Sequence, residues 1–155
     1  MSFNPFGNRD KEELETPDWL FNELDAEFEF ELDAAATREN KKCAYFYDKD
    51  WDAFKQDWAL DATSIWCNPP YGRGIGKWIA KAKEARDNGA RVVMLLPSKT
   101  GTHWWHDYIW DSMNGCPRPG VEIRFLAKRL TFKGEKWPAK FDSVVVIFHP
   151  QKRLI

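Results

Sequence analysis

Four consecutive residues, Asn68-Pro69-Pro70-Tyr71, have the types and spacing needed to hold a planar amino group. They follow the apolar stretch at residues 65–67, and two adjacent prolines end a strand rigidly because they lack N–H groups. The Asn68 amide oxygen and the Pro69 carbonyl can together accept both hydrogens of one NH2 group, while Tyr71 offers a flat ring for stacking. The motif indicates a grip on an exocyclic amine, although a plain corner between strand and loop would use the same residues.

The length and composition predict one domain with a substantial core. The chain has 155 residues and is rich in aromatic side chains, with nine Trp, eleven Phe and four Tyr, most of which we expect in the core. Cys43, Cys67 and Cys116 have no metal-ligand spacing and suggest a reduced, cytoplasmic setting. With no apolar run of about 18 residues and no basic-then-apolar start, we expect neither a membrane span nor a leader.

The charge is distributed unevenly along the chain. The overall net charge is −1, but residues 1–35 hold eleven acids and two bases, for a net of −9, and residues 36–155 have a net of +8. The second part alone has the charge of a domain that approaches a polyanion. Folding of the two parts against each other, with mutual neutralisation, explains the same pattern equally well.

Two strands in the first third of the chain are expected to end in acidic residues. Thr16 and Pro17 have the types of a helix N-cap and first helical residue. Residues 28–32 alternate between apolar and acidic side chains, which predicts a strand that ends at Asp33 and is followed by small residues. A second strand at residues 43–47 leads to several aspartates. Small residues beside a buried carboxylate would allow close approach by a ligand.

The remaining chain predicts a doubly wound α/β fold with a mostly parallel sheet and an antiparallel C-terminal strand pair. Its expected elements are a flexible glycine turn at 72–76, helices at 77–88 and 102–113, a buried strand at 91–96, a linker at 116–120, and strands near 121–132 and 141–149. Ligands of such folds bind beyond the carboxyl ends of the strands. Asp33, Asn68 and Pro97-Ser98 should therefore face one crevice.

The connection between the last two strands is basic and aromatic. It carries Lys128, Arg129, Lys133, Lys136 and Lys140 against one acid, Glu135, with Phe132 and Trp137 between them. Basic groups interleaved with aromatic rings suit the rim of a nucleic-acid site. A solvated hairpin is an equally good interpretation.

The ordered set of motifs resembles the phage-type DNA N6-adenine methyltransferases, a Dam-like family. The set runs from Thr-Pro-x-x-Leu-Phe and Phe-x-Leu-Asp-x-Ala-Ala to a Trp just before Asn-Pro-Pro-Tyr-Gly. A strand ending Leu-Leu-Pro, a Trp-Trp-His helix, an Arg-Leu-x-Phe segment and a Val-Val-Ile-Phe strand complete it. The resemblance extends from Thr16 to Phe148 and implies a Rossmann-like methyltransferase fold, with Asp33 and small residues where a glycine-rich loop is usual.

The resemblance also implies a cofactor, a substrate and the residues that bind them. S-adenosylmethionine would lie across the Thr16-Pro17 segment and the segment Asp33, Ala34, Ala35, with Asp52 a weaker candidate. Asn68, Pro69, Pro70 and Tyr71 would hold a flipped adenine during methyl transfer to its amino nitrogen. Phe132 would form the opposite wall, and Arg129 and Lys133 would lie near the DNA. No metal is implied.

The same resemblance sets the expected domains and partners. Residues 1–14 would be a loose arm and 15–155 a single methyltransferase domain without a separate target-recognition domain. Double-stranded DNA would be the partner, in the cytoplasm, or the host cytoplasm if a phage encodes the chain. Two alternatives stay open: another amino acceptor (cytosine N4, RNA adenine or protein glutamine), and a catalytically silent nucleic-acid-binding domain of the same fold.

Overall fold

The computed structural model describes residues 14–151, so nearly all of the predicted N-terminal arm lies outside the described residues. The helices are α1 (Asp18–Phe28), α2 (Trp58–Asp61) and α3 (Ile75–Asp87), with a 3-10 turn at Ala53–Lys55 and a π-helical turn at Trp105–Ile109. The strands are β1 (Leu32–Asp33), β2 (Tyr45–Phe46), β3 (Ser64–Cys67), β4 (Arg91–Pro97), β5 (Trp110–Asp111), β6 (Cys116–Pro117), β7 (Val121–Phe125) and β8 (Ser143–Phe148).

Six strands form the main sheet in the order β2-β1-β3-β4-β8-β7. The pairings β1–β2, β1–β3 and β3–β4 are parallel, whereas β8 is antiparallel to both β4 and β7. Strand β7 therefore runs in the same direction as β4, and β8 alone is reversed. This arrangement confirms the predicted mixed α/β fold with a mainly parallel sheet and an antiparallel pair at the C-terminal end.

The central strands form because their sequences are apolar on both faces. In β8 every residue is buried, and in β4 only Arg91 is partly exposed. Strands covered on both faces need such continuous runs rather than alternation. Helix α3 buries Ile75, Ile79 and Ala82, which are spaced three or four residues apart and so share one helix face.

The order in which strands are added to the sheet reverses between β1 and β3. Strand β2 lies on one side of β1 and β3 lies on the other, which makes this pair the topological switch point. Ligands in open α/β sheets bind in the crevice at such a point. Asp33 is the last residue of β1, and Asn68 directly follows β3.

The strand predicted at residues 28–32 is wrong. Helix α1 continues to Phe28, Glu29 takes a left-handed conformation with φ 51°, and β1 begins only at Leu32. The alternation of Phe and Glu imitated a strand, but Glu31 has another use. Its carboxylate accepts hydrogen bonds from the backbone and hydroxyl of Thr63 and from the backbone of Ser64, at 2.7–3.2 Å, which fastens the start of β3.

The helix predicted at 102–113 is too long, and the linker predicted at 116–120 is partly strand. Helical geometry ends at Ile109, and Trp110–Asp111 pairs with Cys116–Pro117 as a small antiparallel ladder. The Asp111 carboxylate accepts hydrogen bonds from the backbones of Met113 and Asn114, which closes the turn between these strands.

Within residues 14–151, no helix is long and apolar enough to cross a membrane.

Candidate active site

Two adjoining cavities open at the switch point of the sheet and share Leu14, Ala35, Asn40 and Asn68 in their walls. The larger has a volume of about 240 Å³ and the smaller about 30 Å³. The other residues lining the larger cavity are Ala34, Ala36, Thr37, Tyr47, Asp48, Lys49, Asp52, Ala53, Phe54, Pro69, Pro70 and Trp78. The structure thus brings six of the predicted site residues into one cavity: Ala34, Ala35, Asp52, Asn68, Pro69 and Pro70.

The nitrogen of the Asn68 side-chain amide is hydrogen-bonded within the described chain, whereas its oxygen is not. Its amide nitrogen Nδ2 donates to the Leu14 carbonyl at 3.0 Å and to the Thr16 hydroxyl at 3.1 Å. Its oxygen Oδ1 is buried and has no hydrogen-bond partner among the described residues. A buried acceptor without a donor costs free energy, about 1–3 kcal/mol. The arrangement is suited to a ligand that brings an N–H group.

Asp33 lies in the smaller cavity and holds the loop that follows β1. Only 3% of it is exposed, and its carboxylate accepts from the backbones of Ala35 at 3.3 Å and Lys42 at 3.0 Å. Burial raises the pKa of Asp33 from 3.8 to about 6, against the opposing effect of these two hydrogen bonds. The carboxylate is therefore mostly ionised at neutral pH while lying beside Asn68.

Among the lining residues of the larger cavity that sequence reasoning did not assign to a site are Asn40, Asp48, Phe54 and Trp78. Asp48 was recognisable, because it follows β2 just as Asp33 ends β1, and the carboxyl-end rule applies to both. The rings of Phe54 and Trp78 have centroids 4.7 Å apart, and they form an aromatic part of the wall. Their separation along the sequence gave no signal of this contact.

Tyr71 is buried rather than presented as an open platform. Only 3% of it is exposed, its hydroxyl donates to the Leu95 carbonyl at 3.0 Å, and burial raises its pKa well above the usual value. Phe132 and Phe141 meet its ring edge-on, with centroid distances of 6.4 and 5.9 Å. The predicted neighbours Tyr71 and Phe132 are thus brought together.

The remaining predicted site residues have different positions. Thr16 lines the smaller cavity, whereas Pro17 is the N-cap of α1 and lines neither cavity. The ammonium group of Lys133 lies 3.1 Å from the Asp18 carboxylate, and its backbone N–H donates to the Glu15 carbonyl. Lys133 therefore fastens the basic connection to the segment before α1 and lies outside both cavities.

The basic connection forms an exposed rim. Lys128, Arg129, Lys136 and Lys140 are exposed, as is 71% of Trp137. The Lys136 ammonium lies 5.4 Å from the centre of the Trp137 ring. The same connection carries Phe132, which reaches inward to Tyr71, so the exposed charges and the buried rings belong to one segment.

Among the residues that the structure describes, no group of three or more His, Cys, Asp or Glu side chains is placed to hold a metal ion.

The mainly parallel α/β sheet places the Asn-Pro-Pro-Tyr corner at its switch point, where Asn68, Pro69 and Pro70 line the larger cavity. The family model for DNA N-6-adenine-methyltransferase (Dam) matches residues 6–150, and the chain belongs to this family. A DNA N-6-adenine-methyltransferase of Escherichia phage T1 is 37% identical over 76 residues. That match spans 49% of this chain but only 31% of the phage T1 protein. No solved structure matches the chain.

Proposed function

We propose that the protein transfers a methyl group from S-adenosylmethionine to the N6 amino group of a flipped adenine in double-stranded DNA, through a Rossmann-like methyltransferase fold. The observation that carries this proposal is the buried Oδ1 of Asn68 beside the larger cavity, which has no hydrogen-bond partner within residues 14–151. Membership of the Dam family supports the reaction class and the methyl donor. The reaction would take place in the cytoplasm, or in the host cytoplasm if a phage encodes the chain.

The larger cavity has walls of the kinds that the cofactor needs. Ala34 and Ala35 are small enough to let a ligand approach the backbone after β1. The carboxylates of Asp48 and Asp52 are acceptors for ribose hydroxyls, and the aromatic wall formed by Phe54 and Trp78 suits an adenine ring. The negative charge of Asp33 in the adjoining cavity favours the cationic methionyl end. When bound there, the cofactor supplies an electrophilic sulfonium methyl.

The Asn-Pro-Pro-Tyr corner would prepare the amine for attack. Asn68 Oδ1 and the Pro69 carbonyl would accept its two hydrogens, which orients the nitrogen lone pair towards the methyl carbon. The amine nitrogen would accept the methyl group that the bound cofactor supplies and would then lose one proton to water, which restores a neutral amine. Positioning of the reacting atoms supplies much of the rate.

The aromatic residues near the corner would receive the flipped base. Tyr71 would stack on it once Phe132 or Phe141 has moved from its edge-on position, and Phe132 would form the opposite wall. Stacking is worth about 1–3 kcal/mol per base and offsets part of the cost of extrusion. Arg129 and its basic neighbours on the rim would contact the phosphates of the duplex.

A panel of acceptors tests this proposal against the two alternatives. Wild-type protein and Asn68→Ala are each incubated with labelled cofactor and with unmethylated duplex DNA, RNA of the same sequence, or a glutamine peptide. We expect label in DNA with the wild type and none with the variant. Label found only in RNA, or only in the peptide, would mean that the acceptor is RNA adenine or protein glutamine instead of DNA adenine. Salt-dependent DNA binding without cofactor affinity would favour the catalytically silent domain.

A further inference from the structure

We propose that Thr16 is a positioning residue that, together with the Leu14 carbonyl, holds the Asn68 amide in place, so that Oδ1 and not Nδ2 faces the acceptor amine. This inference rests on the proposed function of Asn68. It also gives Thr16 a different role from the direct contact with the cofactor that the sequence resemblance implies.

Both hydrogens of the Asn68 amide are directed to partners within the chain. Nδ2 donates to the Leu14 carbonyl at 3.0 Å and to the Thr16 hydroxyl at 3.1 Å. An amide has only two N–H donors, and both are used here. Oδ1 is therefore the only polar atom of the Asn68 side chain that a ligand can bind. The Leu14 carbonyl thus decides which end of the amide faces a ligand, and the Thr16 hydroxyl adds a second hydrogen bond to that orientation.

The opposite orientation of the amide would be unfavourable at both ends. A half-turn about the last side-chain bond would place Oδ1 against the Leu14 carbonyl, with two acceptors facing each other. It would also direct the N–H groups of Asn68 towards the incoming amine, which itself presents N–H groups. The Leu14 carbonyl, which can only accept, therefore disfavours the orientation in which Asn68 repels its substrate, while the Thr16 hydroxyl holds the favoured orientation with a second hydrogen bond.

Thr16 is held firmly enough to act as a fixed acceptor. It is 2% exposed and lies between two anchored neighbours. The Glu15 carbonyl accepts a hydrogen bond from the Lys133 backbone at 2.9 Å, and the Pro17 carbonyl accepts from the first turn of α1. Because the backbone is fastened on both sides, the hydroxyl stays in place over Asn68.

Two variants of Thr16 separate positioning from cofactor binding. Thr16→Val keeps the shape and loses the acceptor, whereas Thr16→Ser keeps the hydroxyl and loses a methyl group. With the full chain, saturating cofactor and unmethylated duplex DNA, we expect Thr16→Val to lower the single-turnover rate about tenfold, the effect of about one hydrogen bond. Its affinity for the cofactor should stay within about twofold of wild type, and Thr16→Ser should restore most of the rate.

Other results of the same experiment would overturn the inference. An unchanged single-turnover rate in Thr16→Val would show that the acceptor is not needed. Weaker cofactor binding with a normal saturated rate would make Thr16 a cofactor ligand. Equal losses in Thr16→Val and Thr16→Ser would point to packing, which the melting temperatures of both variants would also report. If the wild type methylates none of the DNA, RNA or peptide acceptors, the proposed function fails, and the inference about Thr16, which rests on it, fails as well.

A spectroscopic measurement tests the positioning of the Asn68 amide without a methyl-transfer assay and without Thr16→Val. In amide spectra of 15N-labelled wild type, the Asn68 side-chain signals are assigned by their loss in Asn68→Ala. We expect these two protons to exchange slowly with solvent in wild type and in Thr16→Ser, because each is hydrogen-bonded. Rapid exchange in the wild type would overturn the inference even in a protein that methylates DNA.

Discussion

The ring of Phe132 meets the ring of Tyr71 edge-on, with centroids 6.4 Å apart and planes at 74°. Phe141 makes a similar contact at 5.9 Å, and the Tyr71 hydroxyl is tied to the Leu95 carbonyl. Tyr71 is therefore fixed at its far end and covered by aromatic edges along its ring. The connection that carries Phe132 also carries the exposed basic rim, so in the proposed mechanism contact with DNA and movement of Phe132 away from Tyr71 would involve the same segment.

Tyr71→Ala should weaken the engagement of the flipped base more than the binding of the cofactor. Removing one stacking ring should cost about 1–3 kcal/mol, and the measurement is the fluorescence rise of a base analogue at the target position. Tyr71→Phe is the matched control, because it keeps the ring and loses only the hydrogen bond to Leu95. A full fluorescence response in Tyr71→Ala would contradict the stack.

Asn68→Ala should abolish methyl transfer and leave cofactor affinity largely intact. The substitution removes the buried acceptor Oδ1 but none of the carboxylates or aromatic rings in the cofactor cavity. Cofactor titration and a methyl-transfer assay on the same sample give both quantities. Asn22→Ala, at an exposed position of α1, is the control for the loss of an asparagine. Retained turnover in Asn68→Ala would contradict the proposed hydrogen bond between Asn68 and the acceptor amine.

Asp33→Asn should remove a pH-dependent loss of stability. The pKa of Asp33 is raised from 3.8 to about 6, so ionisation is harder in the folded than in the unfolded chain. Its contribution is therefore most favourable below pH 3.8, falls as the pH rises towards 6, and is fully lost above it, by about 3 kcal/mol. Denaturant unfolding at several pH values measures this difference.

The comparison between variant and wild type isolates the Asp33 contribution from other titrations. At low pH the wild-type carboxyl is protonated but both of its oxygens keep some acceptor capacity, whereas the amide nitrogen introduced by Asp33→Asn has none, so this variant should be the less stable protein there. Its disadvantage should shrink as the pH rises from about 4 to about 6.5, as the wild type loses stability. An equal gap in unfolding free energy at all pH values would mean that burial does not perturb this carboxyl.

Removal of two rim lysines should reduce the salt dependence of DNA binding. Each phosphate contact contributes about −0.9 to the slope of log affinity against log salt, so Lys136→Ala with Lys140→Ala should flatten it by up to about 2. Lys83→Ala is the control, because Lys83 lies in the last turns of α3 and pairs with Asp87 at 2.8 Å. A larger change in the control than in the rim variant would move the DNA surface elsewhere.

Parts of the structure that depend on local sequence were predictable, and parts that depend on long-range packing were not. The runs of β4 and β8 and the stripe of α3 predicted their elements, because continuous burial and helical spacing are both visible in one segment. Strand β1 was misplaced because alternating Phe and Glu imitates a strand, and the hydrogen bonds from Thr63 to Glu31 leave no local trace.

The candidate site was predictable to a similar degree. The carboxyl-end rule found Asp33 and Asn68, and applied to β2 it would also have found Asp48. It also predicted that Pro97 and Ser98 face the same crevice, but they line neither cavity. The burial of Tyr71 was not visible, since it depends on the distant rings of Phe132 and Phe141, which approach it only after the sheet has formed. The bond between Asn68 and Thr16 joins residues 52 positions apart, so no local pattern predicts it.

The most direct test of the central claim is transfer of labelled methyl from S-adenosylmethionine to unmethylated duplex DNA, followed by digestion to nucleosides. The account predicts that the wild type places the label in N6-methyldeoxyadenosine, and that Asn68→Ala places none there under the same conditions. Label in another nucleoside, or an equal yield from Asn68→Ala, would contradict it. So would wild-type protein that binds the cofactor but leaves duplex DNA unlabelled.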